Sequence, residues 1–195
     1  MQLEKENAAR ELEHWQKYLA EYRLPDWDTI PDLGLYMEQI LVLLQQYLDY
    51  FPKEIKDESL ITAAAINNYV RKKLMPEPVK KRYYRSHIAC LIMICSLKQS
   101  LSISLLQLLL PHGQSEEEIK TRYESFARQQ RRATDAFLAG TREQKENLTE
   151  KKGSSPAEDP EAFIFSAATV SAFSRLLAER LILLKQDADG EKEVP

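Results

Sequence analysis

Apolar residues recur at helical spacing along most of the chain. Leu3, Leu12, Trp15, Leu19 and Tyr22 predict an amphipathic helix over residues 3–23 that stops before Pro25. The segment LPDWDTIPDLG then reads as a connector, with Asp32 as candidate N-cap of the next helix. Leu35, Ile40, Leu41, Leu43, Leu44, Tyr47, Leu48 and Phe51 cover more than half of that helix's circumference, so it is expected to be central and to end at Pro52. Thr62 is placed to cap, and Pro76 to end, a third helix of about three turns.

The charged segment VKKRYYR has no helical stripe. After it, Ser86 is a candidate cap for the apolar helix HIACLIMICSLKQ and Ser102 for the short helix ISLLQLLL, stopped by Pro111. A charged helix from Glu116 to about Lys145 carries Ile119, Tyr123, Phe126, Ala133 and Phe137 on one face. The stretch NLTEKKGSSPAEDP reads as a flexible linker, and Asp159 before Pro160 as the start of a last helix reaching about Gln186. Phe163, Ala167, Val170, Leu177, Leu181 and Leu184 form an apolar ribbon on it. That ribbon pairs either within the chain, on the first helix with Trp15, or with a second copy; a homodimer is the expectation. The expected divisions are residues 1–30, 31–112, 113–146, 147–160 and 161–195.

Composition agrees with an all-α chain with room for a short β wing. Only five glycines are present, and 44% hydrophobic residues suffice for a core. The start MQLEKEN lacks the basic and apolar parts of a secretory signal, and the near-apolar run Ile88–Leu97 is well short of the ~18 residues of a bilayer span, so a cytoplasmic protein without membrane contact is expected. Cys90 and Cys95, five positions apart on one helix, read as buried thiols that do not bridge each other.

Charge is uneven. From Val70 to Ser86 seven basic residues face Glu77 alone, a local +6 on a chain of formal net charge −3, which leaves −9 for the remainder. Such a stripe suits phosphate, although lysines on a solvated helix give the same count. On the third helix Ile66, Tyr69, Val70 and Leu74 mark the inward side. Ala64, Asn67, Asn68, Arg71 and Lys72 then face outward, with Asn67 one turn before Arg71 and Asn68 one turn before Lys72. Asn can both donate to and accept from an adenine edge, and Arg and Lys serve guanine or phosphate, so this face has the chemistry of a recognition helix. Lys73, Lys80, Lys81, Arg82, Tyr83 and Arg85 are candidate phosphate contacts beside it, and one tyrosine packed inward with solvated charges is the plainer reading.

The run from Ile61 to Leu110 resembles the MerR-type DNA-binding region, a winged helix-turn-helix. Ile66, Tyr69 and Leu74 fall on its Leu, second Tyr and Leu; Lys81 and Tyr83 on the wing Arg and Tyr; Ile88 and Leu91 on the next apolar pair; Ser102, Ile103 and Leu106 on its final turn and short helix. Asn67, Asn68 and Lys73 stand where that pattern has Arg, Tyr and Gly. The motifs MEQ (Met37–Gln39), INNYV (Ile66–Val70), KKRYYRSHIA and LKQ (Leu97–Gln99) also resemble the bacterial domain of unknown function family 1836, over roughly residues 30–112.

Enzyme readings find little support. The histidines are His14, His87 and His112, and no phosphate-binding glycine loop, nucleophile motif or metal-ligand spacing accompanies them; His87 is expected to cap or flank a helix. No catalytic residue, metal or cofactor is expected. The expected function is a dimeric regulator bound to double-stranded DNA, with a protein-interaction adaptor of the same fold as the alternative.

Overall fold

The computed structural model describes residues 5–49, 61–110, 113–149 and 160–190, and the side chains of these except residues 5, 143–149 and 187–190. The described residues are mostly helical: α1 Lys5–Glu21, a 3-10 turn Trp27–Thr29, α2 Met37–Tyr47, α3 Ala63–Arg71, α4 Arg85–Leu97, α5 Ile103–Leu109, α6 Glu116–Thr149 and α7 Pro160–Gly190. They contain no strand beyond two isolated β-bridges. None of these helices is long and apolar enough to cross a membrane, and no cluster among them has metal-ligating composition. The chain divides into two compact units, one within Met1–Arg23 and Gln129–Leu176, the other within Leu24–Arg128 and Leu177–Pro195.

The second unit is built around α4. Nine successive residues from His87 to Cys95 are buried, which explains why its sequence is apolar all round rather than striped. The centre is therefore α4 and not α2, which buries Ile40, Leu44 and the following Leu48, exposes Val42, and packs on both α3 and α4. Ile66 and Tyr69 of α3, Leu106 of α5, and Ile119 and Tyr123 of α6 complete the core. The connector is anchored there too. Trp27 and Ile30 are buried, the Trp27 ring lies 6.1 Å from that of Tyr123, and the Tyr123 hydroxyl donates to the Pro25 carbonyl at 2.6 Å.

Several helix ends differ from expectation. Thr62 and Ser102 cap as predicted, accepting from the amides of Ala65 and Leu105. Asp32 does not cap α2. Tyr36 does, its amide donating to the Gln39 side chain at 2.9 Å, while the Asp32 carboxylate accepts from the Arg85 amide at the start of α4. Ser86 lies inside α4, whose N-cap is Tyr84; the Tyr84 amide donates to Nδ1 of His87, and the other ring nitrogen is 3.0 Å from the Glu77 carbonyl. In α6 the buried residues are Ile119 and Tyr123, then Leu138 and Thr141, whereas Phe137 is 52% exposed and Ala133 is exposed. Pro160 opens α7. The predicted cap Asp159, the linker at 150–159, the helix end at Phe51–Pro52, His112 and the tail beyond 190 lie outside the described residues.

Burial pushes the thiols of Cys90 and Cys95 up to about 12, so neither is a thiolate near neutral pH. Neither is expected to react with a disulfide-exchange reagent in the native protein, and both should react in denaturant. A thiol titrating within seconds without denaturant would place it at the surface.

Candidate nucleic-acid interface

The amphipathic pattern of α3 turns Ile66 and Tyr69 into the core and leaves Ala64, Asn67, Arg71 and Lys72 exposed, with Asn68 half-buried. The outward face is thus the one that the apolar positions imply. Within it Arg71 donates to the Asn68 side-chain oxygen at 2.7 Å, one turn back at i−3. That bond holds the guanidinium along the helix.

The helix stops earlier than Pro76 would require. The Lys73 amide bonds the Val70 carbonyl and the Leu74 amide bonds the Tyr69 carbonyl, the paired closure of a Schellman motif, with Lys73 at φ +56°. Glycine is the usual residue there, because a Cβ is strained at positive φ. Gln107 of α5 donates to the Lys72 carbonyl at 2.8 Å, fixing the end of α3. No periodicity in the sequence signals that bond.

A second tight turn follows. Val79 and Arg82 exchange backbone hydrogen bonds of 3.1 and 3.0 Å around Lys80 at φ +49° and Lys81 at φ +63°. Two central residues at positive φ make this a two-residue hairpin turn of the I′ type, which ordinarily favours Asn-Gly. Leu35 and Tyr83 exchange bonds of 2.9 and 2.8 Å and pin the hairpin to the segment before α2. Gly34 makes the approach possible, since a Cβ there would lie 2.8 Å from Cδ of Arg82 and 3.0 Å from the Tyr84 hydroxyl. Arg82 lies over the Tyr36 ring at 4.9 Å and donates to its hydroxyl at 3.0 Å. Tyr36 and Gly34 were not singled out from sequence, and the Leu-Gly-Leu-Tyr run is the signal that could have marked a close backbone approach.

Two of the predicted contacts are corrected. Tyr83 is only 3% exposed, its ring edge-on to His87, so it belongs to the core; burial raises its phenol. Arg85 is half-buried and turned to the connector: its Nε donates to the Ile30 carbonyl at 2.9 Å, a terminal nitrogen lies 3.8 Å from Asp28, and the guanidinium is 6.0 Å from the Trp27 ring. It latches the connector onto α4. Arg71, Lys72, Lys73, Lys80, Lys81 and Arg82 remain exposed, and none pairs with a carboxylate among the described residues. Anion binding is the chemistry that such a set offers.

The model of a domain of unknown function, DUF1836, matches residues 25–126. That is just over half of the chain, and the match begins and ends within two residues of the continuous part of the second unit, Leu24–Arg128. Neither curated proteins nor solved structures give a match.

Proposed function

Because the chain belongs to the family described as domain of unknown function DUF1836, which carries no assigned activity, its function has to be argued from the residues, and we propose that it is a DNA-binding transcriptional regulator. In this reading α3 is the recognition helix of a MerR-like winged helix-turn-helix. Ala64, Asn67, Asn68, Arg71 and Lys72 enter the major groove, and the hairpin of Lys80 and Lys81, with Lys73 and Arg82, holds the phosphates as a wing. The protein acts in the cytoplasm as a homodimer, so that two such units meet two half-sites.

One observation carries the reading. Lys73, Lys80 and Lys81 are held at positive φ, each exposed and each where glycine or asparagine would be more stable. Stability alone does not select lysine at three such positions. A surface that must present charge at fixed turns does.

Binding of the whole protein to duplex DNA across a salt series tests this. Random duplex should bind with a strong salt dependence, and Arg71→Ala with Lys72→Ala should flatten the slope of log affinity against log salt by about 0.9 unit per lost phosphate contact. Asn68→Ala should change sequence preference more than affinity for random DNA. A parent whose weak binding is flat from low to high salt overturns the proposal and leaves the adaptor role for the same fold.

A further inference from the structure

The first unit holds a cavity of about 380 Å³ walled by three helices, α1, the second half of α6 and the first two turns of α7. Its lining is mainly apolar, with Leu12, Trp15, Phe137, Phe163, Ile164 and Ala167 its larger apolar contributors beside Ala8 and Pro160. Of its lining residues Phe137 and Ile164 are each 52% exposed, whereas Thr141 and Pro160 are buried. The volume lies in the range of small-molecule pockets, which combine an apolar wall with a few polar groups.

The polar lining states what the occupant can carry. Among the described residues no lysine or arginine lines the cavity, and the one acidic side chain there is that of Glu11. The Thr141 hydroxyl is already engaged, donating to the Leu138 carbonyl at 3.1 Å and accepting from Gln16 at 3.3 Å. A carboxylate, sulfonate or phosphate would enter an apolar space with no cation to receive it and a like charge beside it. We infer that this cavity is a binding site for an uncharged lipophilic small molecule, a function separate from the proposed DNA surface.

A second copy of the chain fits less well. The cavity takes residues 160–167 of α7, whereas Val170, Phe173, Leu177, Leu181 and Leu184 of the exposed apolar ribbon lie beyond it. On a helical wheel these five lie about 40–120° from Ala167, all to one side of it. A helix laid along that ribbon would leave the cavity unfilled.

The probe is N-phenyl-naphthylamine, a neutral dye that brightens in apolar surroundings, compared with its sulfonated analogue on the full chain. The neutral dye should bind saturably, one per chain, and the sulfonated one about tenfold more weakly or worse. Ala8→Trp and Ala167→Trp should each reduce neutral-dye affinity at least about tenfold by filling the space. Ala8→Leu and Ala167→Leu are smaller plugs should the indoles impair folding, and Leu181→Glu should leave the dye unaffected. No saturable uptake by the parent, equal affinity for both dyes, or uptake that survives the plugs and falls with Leu181→Glu each overturn the site. So does uptake that appears only as the protein dissociates on dilution, which would make a second copy the occupant.

Discussion

Replacing Lys73 by Gly, Lys80 by Asn and Lys81 by Gly together is expected to stabilise the protein and to weaken its hold on DNA. The two effects have separate causes. Each lysine sits at positive φ, between +49° and +63°, where a Cβ is strained by about 1 kcal/mol relative to glycine. Relief at three positions comes to about 2–3 kcal/mol, less a few tenths for losing a cation beside the C-terminus of α3. In denaturant titrations the midpoint should rise.

Binding should move the other way. Three cations leave the surface, so the slope of log affinity against log salt should flatten by up to ~2.7 units, more than Arg71→Ala with Lys72→Ala can produce. The opposite signs are what make the test informative. A simple loss of fold lowers both quantities, and a purely structural role for the turns raises stability while leaving DNA untouched. Unchanged DNA binding in a stabilised triple variant would remove the wing from the proposed function.

Much of this arrangement could be read in the chain because its signals are local. Thr62 and Ser102 cap because their hydroxyls reach amides three residues on, and the unbroken apolar run in α4 marks a helix with no solvent side. The turn lysines were less legible. Positive φ is normally inferred from Gly or Asn, and Lys73, Lys80 and Lys81 conceal it; only the glycine of the resembling pattern at position 73 hints at the first. Tyr36 was missed as a cap because it has no short hydroxyl or carboxylate to offer the first-turn amides; the bond that marks it is the reciprocal one, in which the Gln39 side chain accepts from its amide. Arg85 counted as one more cation in a basic run, since charge composition says nothing of the Ile30 carbonyl to which the fold delivers it.

The phase of α6 illustrates a different limit. Ile119 and Tyr123 set a face whose continuation includes both Phe137 and Thr141; Thr141 is buried there, but the burial beside it is that of Leu138 and not of Phe137. Residues up to Arg128 belong to one compact unit and those from Gln129 to the other. A periodicity argument assumes one set of neighbours along the helix. Where the neighbours change, the buried face shifts part of the way round the helix.

The other large effect is expected on α7. At micromolar concentration the parent should have the mass of a dimer, and Leu177→Glu with Leu181→Glu should halve it. The ribbon of Val170, Phe173, Leu177, Leu181 and Leu184 is 47–66% exposed, an arrangement that a chain keeps out of water by pairing. Covering what remains of these side chains, ten of them across a two-fold axis, is the apolar gain that drives pairing. Two glutamates per chain bring four carboxylates to the middle of the seam, each costing several kcal/mol to desolvate, and that exceeds the apolar gain. The first turns of α7 do line a cavity with Trp15, as pairing within the chain would suggest, yet the ribbon beyond them is still exposed. A parent that sediments as a monomer at micromolar concentration would remove the homodimer and, with it, the expectation of a two-fold symmetric DNA site.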